Sequence, residues 1–242
     1  MKAAERQRLK ENDFARTVEQ TVGAIKGHRD QFTLGAIVVA VVILGAGGYF
    51  FWNHSRNDRA GAMFGEAMAV VESPISPPST LPGAVQAPGT YPTDKARQEA
   101  ALAGFQAVAK AYPSTNAGMA GSYQAASVLL SLNRLQEAEQ AFQDVATRAG
   151  SGLYGPLAKL GLAETYAAEK QFDKAIPFYN DLAAQRDGTL PVDGILMQLG
   201  QTCVRAGRTQ DARAAFKRVV DEFPESLYVQ SARQQLAQIS AS

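Results

Sequence analysis

The stretch "AFKRVVDEFPES" (215–226) repeats in substance an earlier one, "GFQAVAKAYPST" (104–115). In each, an aromatic is followed three residues later by Val (Phe105 and Val108; Phe216 and Val219), and an aromatic-Pro pair closes the phrase (Tyr112-Pro113; Phe223-Pro224). The 111 residues between them divide into three steps of 37. Phe105, Phe142, Tyr179 and Phe216 form one column at that spacing; Ala101, Ala138, Ala175 and Ala212 form a second; Val108, Val145, Leu182 and Val219 a third. A column of small residues, Ala126, Ala163 and Gly200, is preceded by Ala125, Leu162 and Leu199 and followed three residues on by Leu129, Tyr166 and Cys203. Several columns in one register mark a structural unit used several times.

Each unit reads as two helices. "DGILMQLGQTCVRA" (193–206) carries Leu196, Leu199, Gly200 and Cys203 on one face, and Gly207 then interrupts it. "TQDARAAFKRVV" (209–220) follows, with Thr209 as the expected N-cap, Ala212, Phe216 and Val219 inward, and Pro224 barring continuation. Two helices approach closely only where a side chain is small, and the aromatic of the second helix fills the adjacent space. One pair cannot bury its apolar face alone, so pairs stack into a solenoid. "SLYVQSARQQLAQIS" (226–240) reads as a lone first helix capping the stack. At the other end, "RAGAMFGEAMAVVE" (59–72), with Phe64, Gly65 and Met68, is the expected first partner of "KARQEAALAGFQAVAKAY". Between them "SPISPPSTLPGAVQAPGTYPT" (73–93) holds six prolines and no charge. It reads as a polyproline-like loop inserted in the first pair, or as a ligand for another protein.

A small residue, an aromatic or Leu three on, then Ala, an aromatic four on, and finally Pro resembles the tetratricopeptide repeat. The third unit carries the resemblance best, through Leu199, Gly200, Ala212, Phe216 and Pro224; the second has Asp187 and the first Gly150 where Pro is expected. The large residue expected early in the first helix is only weakly represented, by Ser122, Lys159 and Leu196, and the period is 37, against about 34 in that family. The resemblance implies an all-α, right-handed solenoid of helix pairs over residues 94–242, with a C-terminal capping helix.

"QFTLGAIVVAVVILGAGGYFFWNHS" (31–55) contains no Asp, Glu, Lys or Arg. About 20 apolar residues cross a bilayer as a helix, so 31–53 is expected to be transmembrane, with Tyr49 and Trp52 at the interface. The 30 residues ahead of it carry five acids, unlike a cleaved signal sequence, and no Cys follows for lipid attachment. Gly35, Gly45, Gly47 and Gly48 admit a close partner helix, or are simply the glycines common in such segments. In the tail, 1–30, Phe14, Val18, Val22 and Ile25 share one helical face, suited to a membrane surface, a partner, or a short solvated helix. The tail's seven Lys/Arg favour a cytoplasmic N-terminus. That places the helix and Pro-rich linker at 54–93 and the repeats at 94–242 in the periplasm, behind an inner-membrane anchor.

Net charge is +1, and after residue 93 there are 15 Lys/Arg against 15 Asp/Glu, which argues against nucleic acid as a partner. The single cysteine, Cys203, excludes an internal disulfide and sits in a packing column, where a buried inert thiol is expected. The only histidines, His28 and His54, flank the apolar run, so no Ser-His-Asp or Cys-His arrangement exists in the repeats. Glu137 and Glu139 read as an ordinary solvated turn. No catalytic residue, metal site or cofactor is expected, and the chain reads as a binding protein. Counting from the packing columns, Tyr123, Leu130, Leu160, Glu164, Met197, Gln201 and Arg205 are expected to line a groove along the first helices, suited to extended or helical polypeptide; Leu130 and Leu160 serve equally well as packing between repeats. The repeat core is expected at Phe105, Phe142, Tyr179, Phe216, Ala138, Ala175 and Ala212.

The tail "ENDFARTVEQTVGAIKGHRDQF", the anchor ending "GGYFFWNHS" and the repeat columns together resemble the ancillary SecYEG translocon subunit (YfgM-like) family. The resemblance implies association with the protein-exporting channel and with a periplasmic chaperone that handles emerging polypeptides. The Pro-rich insertion departs from that family's pattern. "AYPST" and "EFPES" also look like repeats of outer-membrane assembly lipoproteins and cell-division coordinators, so a structural envelope scaffold is the alternative. A cytoplasmic scaffold of reversed topology is the third.

Overall fold

The computed structural model describes residues 29–77, 86–185 and 188–241, with side chains from residue 39 to residue 240 within those spans. Nine helices run in order among the described residues: α1 Arg29–Glu72, α2 Asp94–Ala111, α3 Asn116–Ser131, α4 Leu135–Ala149, α5 Tyr154–Ala168, α6 Phe172–Ala184, α7 Val192–Arg205, α8 Thr209–Glu222 and α9 Val229–Ala241. The chain divides into two units, Met1–Ser55 and Arg56–Ser242. In the second, each helix from α2 onward packs on the next, and α3 also touches α5. Packing of each helix on its neighbours, with α3 also reaching α5, is that of a solenoid of helix pairs.

The columns at 37-residue spacing are the core of that solenoid. Phe105, Phe142, Tyr179 and Phe216 are 0 to 2% exposed, and Ala138, Ala175 and Ala212 are fully buried. Any β-carbon at Gly200 would collide with the Phe216 ring, so the glycine is what lets α7 and α8 approach. Gly161 stands in the same relation to Phe142, across the α4–α5 boundary, and no column pointed to it. In the first pair the close approach is between Ala67 and Gly104, 2.9 Å from an added β-carbon, while the expected Gly65 is exposed with open space around it. Phe64 meets Phe105 with ring centroids 5.7 Å apart, so the end of α1 is the first partner of α2.

The turns inside the pairs share a column too. Asn133, Lys170 and Gly207 have φ of 58°, 62° and 72°. In each turn the following N–H reaches back to an earlier carbonyl: Arg134 to Leu129 O, Gln171 to Tyr166 O and Arg208 to Cys203 O, at 2.8 to 2.9 Å. This is the left-handed helix stop that satisfies carbonyls at the end of a helix. Thr209 is not the N-cap of α8; it is the first helical residue, and Arg208 holds the cap position without a side-chain bond. True threonine caps lie elsewhere: Thr93 Oγ1 accepts from Ala96 N–H at 3.1 Å and Thr115 Oγ1 from Gly118 N–H at 3.0 Å.

The expected amphipathic helix of the tail (Phe14, Val18, Val22, Ile25) lies outside the described residues, as do 78–85 of the Pro-rich stretch. The ends of that stretch are pinned together by a parallel bridge between Ile75 and Tyr91, with Ser76 N–H donating to Tyr91 O at 2.9 Å. Helix α1 contains the 31–53 run, whose side chains before residue 39 are outside the described set; among the described residues no helix is long and apolar enough to cross a membrane.

Candidate functional site

The first helices of the pairs, α3, α5 and α7, together with α9, put one face along the solenoid. Between α5, α7 and α9 that face opens into a cavity of about 370 Å³, walled by Leu160, Pro191, Met197, Gln198, Gln201 and Tyr228. Three of the expected groove residues, Leu160, Met197 and Gln201, meet there. Gln201 is exposed, whereas Met197 is only 4% exposed and belongs to the wall's foundation.

Glu164 lies one helical turn beyond Leu160, on the same face of α5. Gln198 Nε2 donates to its Oε1 at 3.0 Å, and Gln198 Oε1 is buried without a partner. No cation pairs with Glu164 among the described residues, and burial pushes its carboxyl above the ordinary range. Burial, and then the Glu164 charge, raise the Tyr179 hydroxyl. Tyr123 is half-buried against Phe142 and Tyr154, with centroids 6.0 and 5.7 Å away.

Two expected groove residues do other work. Arg205 is turned to the repeat boundary: its Nη2 donates to Ala167 O at 2.6 Å and its guanidinium lies 5.3 Å from the Phe172 ring centroid. The carbonyl and the ring tie this exposed residue's guanidinium to the preceding pair. Leu130 packs half-buried against the core. Glu139 is likewise more than solvated, since its carboxylate accepts from Tyr166 O–H at 2.8 Å; burial and that bond push the tyrosine to about 12.

Gln198 and Tyr228 were missed in the sequence. The signal for Tyr228 existed: Tyr154, Pro191 and Tyr228 stand 37 apart. A larger cavity, about 750 Å³, lies at the turn edge between Pro113, Met119, Arg148, Leu153 and Tyr154. Its one charged group, Arg148, is already held by Asp144 (2.9 Å) and by Pro113 O (2.8 Å). Cys203 is fully buried, which raises its thiol above the usual value.

A comparison with curated proteins finds no match. Among solved structures, a Podosopora anserina protein described as a kinesin light chain with nearly identical TPR-like repeats matches at 15% identity and TM-score 0.53, over 76% of this chain and 95% of that one. A thermophilic TPR protein of Thermus thermophilus matches at 20% identity and TM-score 0.43, over 59% of this chain and 73% of that one. The first of these supports the fold: an all-α stack of helix pairs. A family profile described as "Tetratricopeptide repeat-like domain" matches residues 26–241, nearly the whole of the sequence. With the columns buried and the helix pairs stacked as such repeats require, the chain belongs to the tetratricopeptide repeat-like domain family.

Proposed function

We propose that the protein is a non-catalytic, membrane-anchored interaction scaffold of the bacterial envelope that holds polypeptide segments in the groove of α5, α7 and α9. The observation that carries the groove is its open cavity, walled by apolar Leu160 and Met197 and polar Gln198 and Gln201. A long shallow face of this kind suits peptide better than a small metabolite. Repeat domains of this family generally bind other proteins.

The anchor rests on the uncharged run 31–55 and on what α1 leaves bare, with Leu44 75% and Phe51 76% exposed. Such apolar surface is costly in water, and a bilayer would cover it. The basic tail supports a cytoplasmic N-terminus, so the repeats are read as periplasmic. The likeness of the whole architecture to ancillary translocon subunits supports a place beside the protein-exporting channel and its chaperones.

Photo-crosslinkers at Gln201 and Tyr228 in intact cells test this reading. The expected crosslinks are to export-channel or periplasmic folding proteins. Those from Tyr228 are lost when the exposed Gln201 and Ser231, which also lines the cavity from α9, are both changed to Trp to fill the groove. Crosslinks that survive the double substitution count against the groove. Protease added to spheroplasts is expected to digest the repeats; protection until lysis would reverse the topology.

A further inference from the structure

We infer that the groove selects segments carrying a lysine or arginine beside apolar residues, with Glu164 as the residue that decides it. The inference rests on the groove reading above and adds the chemistry of its occupant.

Three observations converge. Glu164 bonds the wall residue Gln198, and no cation among the described residues pairs with it; the other acid bonded to this wall, Asp193, accepts from Gly194 N–H at 2.9 Å and from Ser226 O–H at 2.6 Å. The base expected in the same groove, Arg205, donates to Ala167 O and lies against the Phe172 ring instead of pairing with Glu164. Gln198, which bonds Glu164, leaves its own Oε1 buried and unsatisfied. A carboxylate without a cation and an amide oxygen without a donor therefore lie side by side. Buried acceptors without donors are costly, and charged donors are the strongest remedy. An ammonium brings three N–H donors and a guanidinium five, while a carboxylate or purely apolar side chain brings none. Leu160 and the Tyr228 ring supply apolar contact for the stem that carries the cationic head. Burial already penalises the carboxylate in the empty groove, so an arriving cation recovers that cost.

The test uses the full chain in detergent micelles and an array of short peptides with apolar-rich randomised flanks and a fixed central Lys, Arg, Gln or Glu. Peptides with central Lys or Arg are expected to bind about tenfold more tightly than those with Gln. Glu164→Gln, which keeps the side chain's shape, is expected to erase that preference while leaving circular dichroism and thermal unfolding those of a folded chain. Glu164→Lys is expected to turn the preference toward central Glu. Equal binding of all peptides, or a Lys preference that persists in Glu164→Gln, overturns the inference. If binding shows no charge preference yet is lost in the Gln201→Trp, Ser231→Trp variant, the groove stands and the role of Glu164 falls. If no peptide binds at all, both fall.

Discussion

Burial acts with opposite sign at Phe216 and at Glu164. Phe216 is fully buried, and its ring takes the space that a β-carbon at Gly200 would need. Phe216→Ala removes the ring without giving α7 and α8 anything to collapse onto. The expected loss is about 3–5 kcal/mol in a urea titration, whereas a loss under about 1 kcal/mol would be that of an exposed site. Glu164 costs stability instead. Its carboxyl is raised above the ordinary value by burial. Below that ordinary value both folded and unfolded chains hold the proton, and nothing is lost. As pH rises through the raised value the unfolded chain gives up its proton first, so the folded state loses ground. Glu164→Gln is therefore expected to be more stable than the wild type near neutral pH, with the difference vanishing toward about pH 4. Urea midpoints of the two proteins across that range check the sign. At this scale the buried aromatics were legible from their spacing. Arg205 was not, because spacing places a side chain on a face without saying which neighbour takes its donors.

At the scale of the element, the helix stops are the clearest periodic feature after the core. Asn133, Lys170 and Gly207 share a left-handed backbone at the same step in three turns, φ 58°, 62° and 72°. Gly and Asn suit that conformation, whereas a lysine crowds its β-carbon against the carbonyl. Lys170→Gly is expected to raise stability by about 1 kcal/mol, the strain relieved less the entropy the glycine adds to the unfolded chain. A rise in the thermal midpoint checks it; a fall would mean that the Lys170 turn is not strained. Gly207 announced its turn in the sequence, but Lys170 did not, since nothing in lysine's chemistry prefers positive φ. The caps show the same limit. Thr209 had the right type for an N-cap and sits one residue inside α8, while Thr115 caps α3 and donates its own hydroxyl to Tyr112 O at 2.9 Å. Pro177 stands inside α6, where it supplies no N–H to the helix.

For the molecule as a whole, stability in a solenoid is a sum over neighbours rather than a single core. Helix α9 packs on α8, with Ala232 fully buried in the core. Deleting residues 229–242 is expected to speed hydrogen exchange in α8 first and α7 next, with α2 and α3 unchanged. Equal acceleration in every helix would show one cooperative unit instead. The Pro-rich excursion sits between the members of the first pair without breaking it, because its ends are tied at Ile75 and Tyr91 and Gln86 Nε2 donates to Ser76 O at 2.8 Å. Loop-closure entropy grows slowly with length, so an insertion closed at its base is tolerated.

The period, the membership of the core columns and the pairing of helices were all readable along the linear chain. Burial of an aromatic against a small residue depends only on which residues recur on one face, and a 37-residue register states that directly. The neutral charge balance and the uncharged run at 31–55 were equally open to reading. Which groove residues are available emerged only once the pairs were packed. Met197 and Arg205 occupy groove positions in the repeat, yet one is walled in and the other spans to Ala167 O and Phe172 of the preceding pair. Both outcomes arise from the angle and offset between successive pairs, which are set by the sum of many side-chain volumes at each boundary. The same offset brings Gln198 of α7 within 3.0 Å of Glu164 on α5, and so leaves an acid without a cation beside an amide oxygen without a donor.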